Sequence, residues 1–285
     1  MSPKKRVFCI ILTLAIPWFV LISKAQLPFP DYSLTILPDS PQKKIPAGKS
    51  DFSRLVWSDE FNTPGLPDST KWSYVIGTGC PQNCGWGNHE LEFYTSRAEN
   101  VVVEGGVLKL KAIREHYHDC EYTSAKLQTR NKFAFTYGKV EVRAKLPAGV
   151  GTWPAIWMMG NGPGYSSWPA CGEIDIMEHR GFELNKIFGT LHYPGRSGEN
   201  ADGGFTMISD AATQFHTYSL VWNPSNLKIY VDKLLLHQVK NSESLPFNHN
   251  FYLILNLAMG GDFGGPVDPA FTDATMEVDY IRVYQ

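Results

Sequence analysis

The sequence predicts an all-β protein of two stacked antiparallel sheets. Three observations carry this reading. Segment after segment alternates apolar and polar residues with a period of two, the mark of half-buried strands. The short apolar run FYLILNLAM, Phe251 to Met259, suits a strand buried on both faces. Only Ser209 to Phe215, SDAATQF, hints at a helical turn, and no dinucleotide or phosphate-loop fingerprint occurs. The chain has 285 residues, 43% of them hydrophobic and 19% charged, which supports a large core and argues against global disorder. A formal charge of −2 gives no electrostatic reason to expect nucleic acid or an anionic membrane as partner.

From the N-terminus, Lys4, Lys5 and Arg6 precede an apolar stretch from Val7 to Ile22. Ser23-Lys24-Ala25 then offers small residues at the two positions a signal peptidase inspects. Residues 1–25 therefore read as a secretory signal peptide, and the mature protein is expected outside the cytoplasm, extracellular or periplasmic. No later segment is long and apolar enough to cross a bilayer, so no stable span is expected after cleavage. Residues 26–50 carry Pro28, Pro30, Pro38, Pro41 and Pro46 and lack periodicity, so they read as an extended linker or tail. The folded domain is expected over residues 51–285.

Within that domain, GVLKLKA (Gly106 to Ala112) and GKVEVRAKL (Gly138 to Leu146) alternate cleanly. His216 to Leu236 reads as two strands joined by an Asn-Pro-Ser-Asn turn, and MEVDYIRVYQ closes the chain as a last strand. Outside the signal there are four cysteines, Cys80, Cys84, Cys120 and Cys171. In an exported protein they can oxidise. One bridge among Cys80, Cys84 and Cys120 is expected, with Cys171 a buried free thiol; the sequence does not choose the partners.

One stretch breaks the alternation. In CGEIDIMEHRG, Glu173 and Asp175 share one face of a strand, while Glu178, five residues after Glu173, belongs on the other. Charged side chains rarely crowd one face of a partly buried strand, because they repel each other and lose solvation. Here Ile174, Ile176 and Met177 flank the acids, Trp153, Trp157 and Trp168 precede them, and no Lys or Arg compensates before Arg180. Clustered carboxylates beside aromatics fit glycoside hydrolysis, where one acid protonates the departing oxygen and a second attacks the sugar or activates water. A β-bulge at Ile176-Met177 would take the space of one residue with two and return Glu178 to the face of Glu173 and Asp175.

GEIDIMEH resembles the active-site strand of glycoside hydrolase family 16, in the bulged form of its laminarinases, the endo-β-1,3-glucanases. The blocks WSDEFN, GWGNHELEFYT, FTYGKVEVRAKLPAGVGTWPAIWMMG, GTLHYP, HTYSLVWNPSNLKIYVD, FYLILNLAMGGDFGG and VDYIRVYQ match in the family's order. The resemblance implies a β-jelly-roll with a concave substrate cleft and a retaining double displacement on β-1,3-glucan, with no cofactor for catalysis. Glu173 resembles the nucleophile, Glu178 the general acid/base, and Asp175 the carboxylate that orients the nucleophile. Asn88, Glu90, Arg143, Trp153, Trp157, Trp168, His192 and Asn256 resemble cleft residues. Trp153 and Trp157, at i and i+4 of a strand, would share a face and form a sugar platform. Glu60, Gly106 and Asp279 match a structural calcium site on the convex face, whose oxygen ligands would stabilise the fold only. A monomer is expected.

Two other readings compete. A non-catalytic glucan-binding protein on this fold typically lacks a catalytic acid, whereas all three acids are present here. A hydrolase of mixed-linkage glucan or algal galactan is the second. The extra residue counts against the mixed-linkage branch, and a charged galactan calls for a basic cleft, which the quoted segments do not supply.

Overall fold

The structure is a computed structural model that describes residues 52–161 and 167–285. The signal-peptide and linker expectations lie outside the described residues. The domain is built from two sheets, one of ten strands and one of seven. In the ten-stranded sheet, Leu234–Lys240, Asn226–Val231, His216–Trp222, Gly138–Lys145, Asp273–Tyr284, Val107–Tyr117, Cys120–Ser124 and Glu92–Tyr94 lie side by side, with Leu55–Asp59 and Val101–Glu104 joined at its flanks. In the seven-stranded sheet the order is Asp202–Met207, Lys186–His192, Glu173–His179, Thr152–Gly160, Phe251–Met259, Lys126–Gln128 and Ser73–Tyr74. All pairs are antiparallel except Glu92–Tyr94 with Cys120–Ser124.

The core lies between the sheets and is filled by alternate residues of each. Gly138–Lys145 sends Val140, Val142 and Ala144 inward, and Thr152–Gly160 sends Ile156 and Met158 to meet them. Fully burying the valine, isoleucine and methionine side chains contributes about 1.5–3 kcal/mol each. Phe251–Met259 is buried at every position, Asn256 included, because it pairs along its whole length with Thr152–Gly160 and lies inside the sheet. Trp222 packs edge-on against Phe135 and Phe251 and donates its indole N–H to the Phe247 carbonyl at 3.0 Å. That bond removes the cost of burying its polar atom.

Two local expectations are refined. The stretch His216 to Leu236 contains two strands and the start of a third at Leu234, because Asp232 takes a left-handed φ of 53° and turns the chain early. Ser209 to Phe215 is a single turn, with the Thr213 and Gln214 amides both donating to the Asp210 carbonyl. Cys80 and Cys84 form the disulfide, leaving Cys120 and buried Cys171 as thiols.

Candidate active site

The strand Glu173–His179 sits between Thr152–Gly160 and Lys186–His192. Its register slips by one. Asp175 faces Trp157, yet Met177 already faces Ile156, and on the other side the register shifts between Asp175 and Glu178. This is the bulge at Ile176-Met177. Ile174, Ile176 and Met177 are all at 0% exposure in the core, so the additional residue is absorbed as an apolar side chain. Glu178 returns to the open face of the sheet, where it stands with Glu173 and Asp175.

Each acid is held by a different neighbour. Trp168, on the rim at 49% exposure, donates its indole N–H to Glu173 Oε2 at 2.7 Å. His192 Nε2 lies 3.2 Å from Asp175 Oδ2. The Gly198 amide donates to His192 Nδ1 at 3.2 Å, so in the neutral ring the proton sits on Nε2, the atom beside Asp175. Glu178 accepts from Trp153 Nε1 at 3.1 Å and from Thr190 Oγ1 at 3.3 Å. Its cross-strand partner is Ala155, whose small side chain leaves room above it.

Burial raises all three carboxyls above the ordinary range. For Glu173, burial is the largest cause and the Asp175 charge the next. For Asp175, burial leads and the Glu178 charge adds to it. For Glu178, burial is opposed by His192 and by the hydrogen bonds from Trp153 and Thr190. Like charges this close share protons as a set. Such a set can hold one acid protonated while another is ionised, the condition glycosidic bond cleavage needs.

The open face continues across Phe251–Met259. Trp157 donates to Asn256 Oδ1 at 2.7 Å, and Asn256 Nδ2 donates to the Tyr94 hydroxyl at 3.1 Å. Tyr94 donates in turn to Glu90 Oε2 at 3.0 Å, and Asn88 Nδ2 to Glu90 Oε1 at 3.0 Å. Four predicted cleft residues, Asn88, Glu90, Trp157 and Asn256, are thus gathered by one network. Tyr94, its middle member, was not anticipated, nor was Lys126. The Lys126 ammonium is buried 4.5 Å from the Trp86 ring centroid and 5.1 Å from that of Trp157. Burial lowers its pKa, while Glu90, Glu92 and Glu173 pull it up. Buried Glu92 accepts the Met259 amide at 2.7 Å, and burial together with Glu90 holds its carboxyl well above the usual range.

The comparisons with known proteins fit this site. The model of glycosyl hydrolases family 16 matches residues 87–282, more than half of the chain. The chain belongs to glycosyl hydrolases family 16. A β-glucanase of Rhodothermus marinus is 46% identical over 248 residues, covering 81% of this chain and 85% of the relative. The solved laminarinase from Rhodothermus marinus is 46% identical, with a TM-score of 0.76 over 81% of this chain and 97% of that one. A LamA variant from Zobellia galactanivorans, solved with laminaritriose and laminaritetraose, is 45% identical, with a TM-score of 0.76 over 82% of this chain and all (100%) of that one. The jelly-roll class expected from the sequence is the class of these family 16 neighbours.

Two expectations drawn from the family 16 resemblance meet a different arrangement. Arg143 does not reach the open face. It lies in Gly138–Lys145 of the other sheet, and because Val142 and Ala144 point into the core, Arg143 points out of the opposite side. There it pairs with Asp279 and packs on Phe215. At the expected calcium site, two side chains are engaged by arginines. Glu60 is bound bidentately by Arg282, at 3.0 and 2.7 Å, and Asp279 is the partner of Arg143. Gly106 sits in the turn between Val101–Glu104 and Val107–Tyr117 with φ 78°. Both carboxylates already have a guanidinium as counter-charge, so a divalent cation here would draw on backbone carbonyl oxygens rather than on these two side chains. Among the described residues, the acidic and histidine group close enough to hold a metal is Glu173, Asp175 and His192, within the candidate site itself.

Proposed function

We propose that this protein is an exported, endo-acting, retaining hydrolase of β-1,3-glucan. The single observation that carries the reading is the bulge that sets Glu178 beside Asp175 and Glu173 on the open face, between Trp153 and Trp168. Glu173 attacks the anomeric carbon as Glu178 gives its proton to the departing oxygen, and a glycosyl–Glu173 ester forms. Glu178 then takes a proton from water, whose oxygen displaces Glu173 and restores the original configuration. Asp175, bracketed by the two glutamates and His192, positions the nucleophile and helps move the shared proton. Trp157 and the network through Asn256 hold the sugar on the donor side by stacking and hydrogen bonds. The β-1,3 linkage is favoured by family 16 relatives named as laminarinases and by the laminari-oligosaccharides bound in one of them. Export rests on residues 1–25, and the N-terminus of protein recovered from culture medium tests it; an intact Met1 would count against it.

The deciding experiment is product analysis on laminarin, lichenan, agarose and carrageenan, with proton NMR of the first-formed anomer. Laminarin should be cut internally, giving β-anomers first. Failure to cut laminarin, or α-anomers as the first product, would overturn the reading.

A further inference from the structure

His192 is fixed on one side by Asp175 and on the other by a loop. Lys186–His192 ends at His192 and Asp202–Met207 forms the next strand, with Leu191 paired to Asp202. Residues 193–201 connect them. Within this loop the Gly198 amide is the donor to His192 Nδ1, at 3.2 Å. Gly198 has a left-handed φ of 57°, and a Cβ added there would meet nothing within 4 Å, so glycine serves the backbone conformation here rather than clearance. A neutral imidazole carries one ring proton, and an amide donor at Nδ1 leaves that proton to Nε2. Nε2 is the atom 3.2 Å from Asp175 Oδ2. The position of one loop amide therefore decides whether Asp175 meets an N–H or a nitrogen lone pair.

The loop is braced within itself and at its base. Tyr193 and Arg196 exchange backbone hydrogen bonds at 2.8 and 2.9 Å. Arg196 Nε donates to the Asn200 carbonyl at 3.1 Å, and Asn200 Nδ2 to the Gly195 carbonyl at 3.0 Å. Asp202 closes the base. Its Oδ2 accepts from the Tyr193 hydroxyl at 2.7 Å, and its Oδ1 lies 3.1 Å from His237 Nε2 and 3.6 Å from Arg196 Nη2. His237 belongs to Leu234–Lys240 of the ten-stranded sheet, so Asp202 ties the loop to both sheets. Tyr193 also packs edge-on against fully buried Phe247, with ring centroids 5.7 Å apart. Burial and the Asp202 charge push the Tyr193 hydroxyl up to about 12, so it stays a donor at neutral pH.

We propose that Asp202 is a positioning residue for the reaction: through Tyr193 it holds the Gly198 amide against His192, and so presents the Nε2 proton to Asp175. The inference rests on the hydrolase reading above. Without the Asp202 brace the loop loosens, His192 is free to carry its proton on Nδ1, and Asp175 loses the donor that orients it beside Glu173. Trp157 and Asn256 lie on the far side of the acid strand and keep their own hydrogen bond, so the loss falls on kcat rather than on KM.

The test joins laminarin kinetics to nitrogen NMR of the histidine rings in the full-length protein, with the His192 signals assigned by their loss in His192→Gln. The unmutated enzyme should show His192 with its proton on Nε2. Asp202→Ala should give a mixture of the two tautomers and lower kcat about tenfold, the worth of one hydrogen bond to a charged carboxyl, with KM within about twofold. Asp202→Asn keeps an oxygen for the Tyr193 hydroxyl and should hold kcat within about threefold of the unmutated value. If melting curves show that Asp202→Ala does not fold, Tyr193→Phe decides. It keeps the ring on Phe247, removes only the hydroxyl, and should give the same mixed tautomers with a lowered kcat. A fall in kcat with His192 still wholly protonated on Nε2, or mixed tautomers with kcat unchanged, would overturn the proposal. An unmutated enzyme inactive on laminarin would instead overturn the hydrolase reading, and this inference with it.

Discussion

Glu178 stands five residues after Glu173 on its own strand, yet their partners on the neighbouring strand, Ala155 and Met159, are only four apart. That one-residue mismatch brings the two glutamates to the same face. Deleting Met177 removes the mismatch and leaves Glu173, Asp175 and Glu178 at alternate positions of a regular strand, so the three acids stay on the open face without a bulge. The deletion variant should therefore still hydrolyse laminarin, with a lowered melting temperature because a fully buried side chain is lost. Substituting Met177→Leu keeps the residue count and should retain activity within about threefold. A folded Met177 deletion with no activity on laminarin would count against the argument.

The two glutamates should separate by leaving group. Glu178→Ala removes proton donation, so glucan hydrolysis should fall by about 10²–10⁴ while an activated aryl substrate retains its first step. Added azide should then be captured as a β-glycosyl azide, since the ester on Glu173 still forms. Glu173→Ala should lose the ester with every substrate. Equal loss for both variants on the aryl substrate would contradict the assignment.

Stability should depend on pH through the same acids. In the unfolded chain they ionise near about 4. In the folded chain burial raises Glu173, Asp175 and Glu178, so above about pH 4 the folded state binds more protons than the unfolded state. Stability is then lost as pH rises toward the folded values, and below about 4 no penalty exists because neither state is ionised. Glu178→Gln keeps the shape and removes the charge. Its melting temperature should exceed that of the unmutated enzyme by about 2–4 °C at pH 8, equivalent to about 1 kcal/mol, and by little at pH 4. A gain of equal size at both pH values would show that the carboxyl's charge is not the cause.

The acid strand was legible in the sequence because burial and charge conflict there: regular alternation would send Glu178 to the core face of Ile174 and Ile176 and leave Met177 on the open face. A period-two pattern likewise located Gly138–Lys145, and a short apolar run located Phe251–Met259. Strand order was not legible, and that is why Arg143 was misplaced. The alternation of Val140, Val142 and Ala144 puts Arg143 opposite the core, but nothing local says to which sheet that strand belongs. Tyr94 and Lys126 escaped notice for a related reason. They lie on three-residue strands, too short to show a period, and Tyr94 meets Asn256 across 162 residues of sequence. Buried polar partners at such separation leave no local trace.

The contrast between Arg143 and Asn256 makes that correction testable. Asn256 is buried and satisfies two groups at once, accepting from Trp157 and donating to Tyr94. Asn256→Ala leaves the buried Trp157 indole N–H without its acceptor and the Tyr94 hydroxyl with Glu90 alone, at a cost of about 1–3 kcal/mol. It also frees the Trp157 indole, so the KM for laminarin should rise about tenfold alongside a lower melting temperature. Arg143→Gln acts on the opposite sheet. Its ion pair with Asp279 is partly exposed, at 39% and 33%, so the stability change should stay below about 1 kcal/mol. Its KM for laminarin should match that of the unmutated enzyme within about twofold. Michaelis kinetics and melting curves on the two variants check this, and a rise in KM for Arg143→Gln as large as that for Asn256→Ala would return Arg143 to the substrate site.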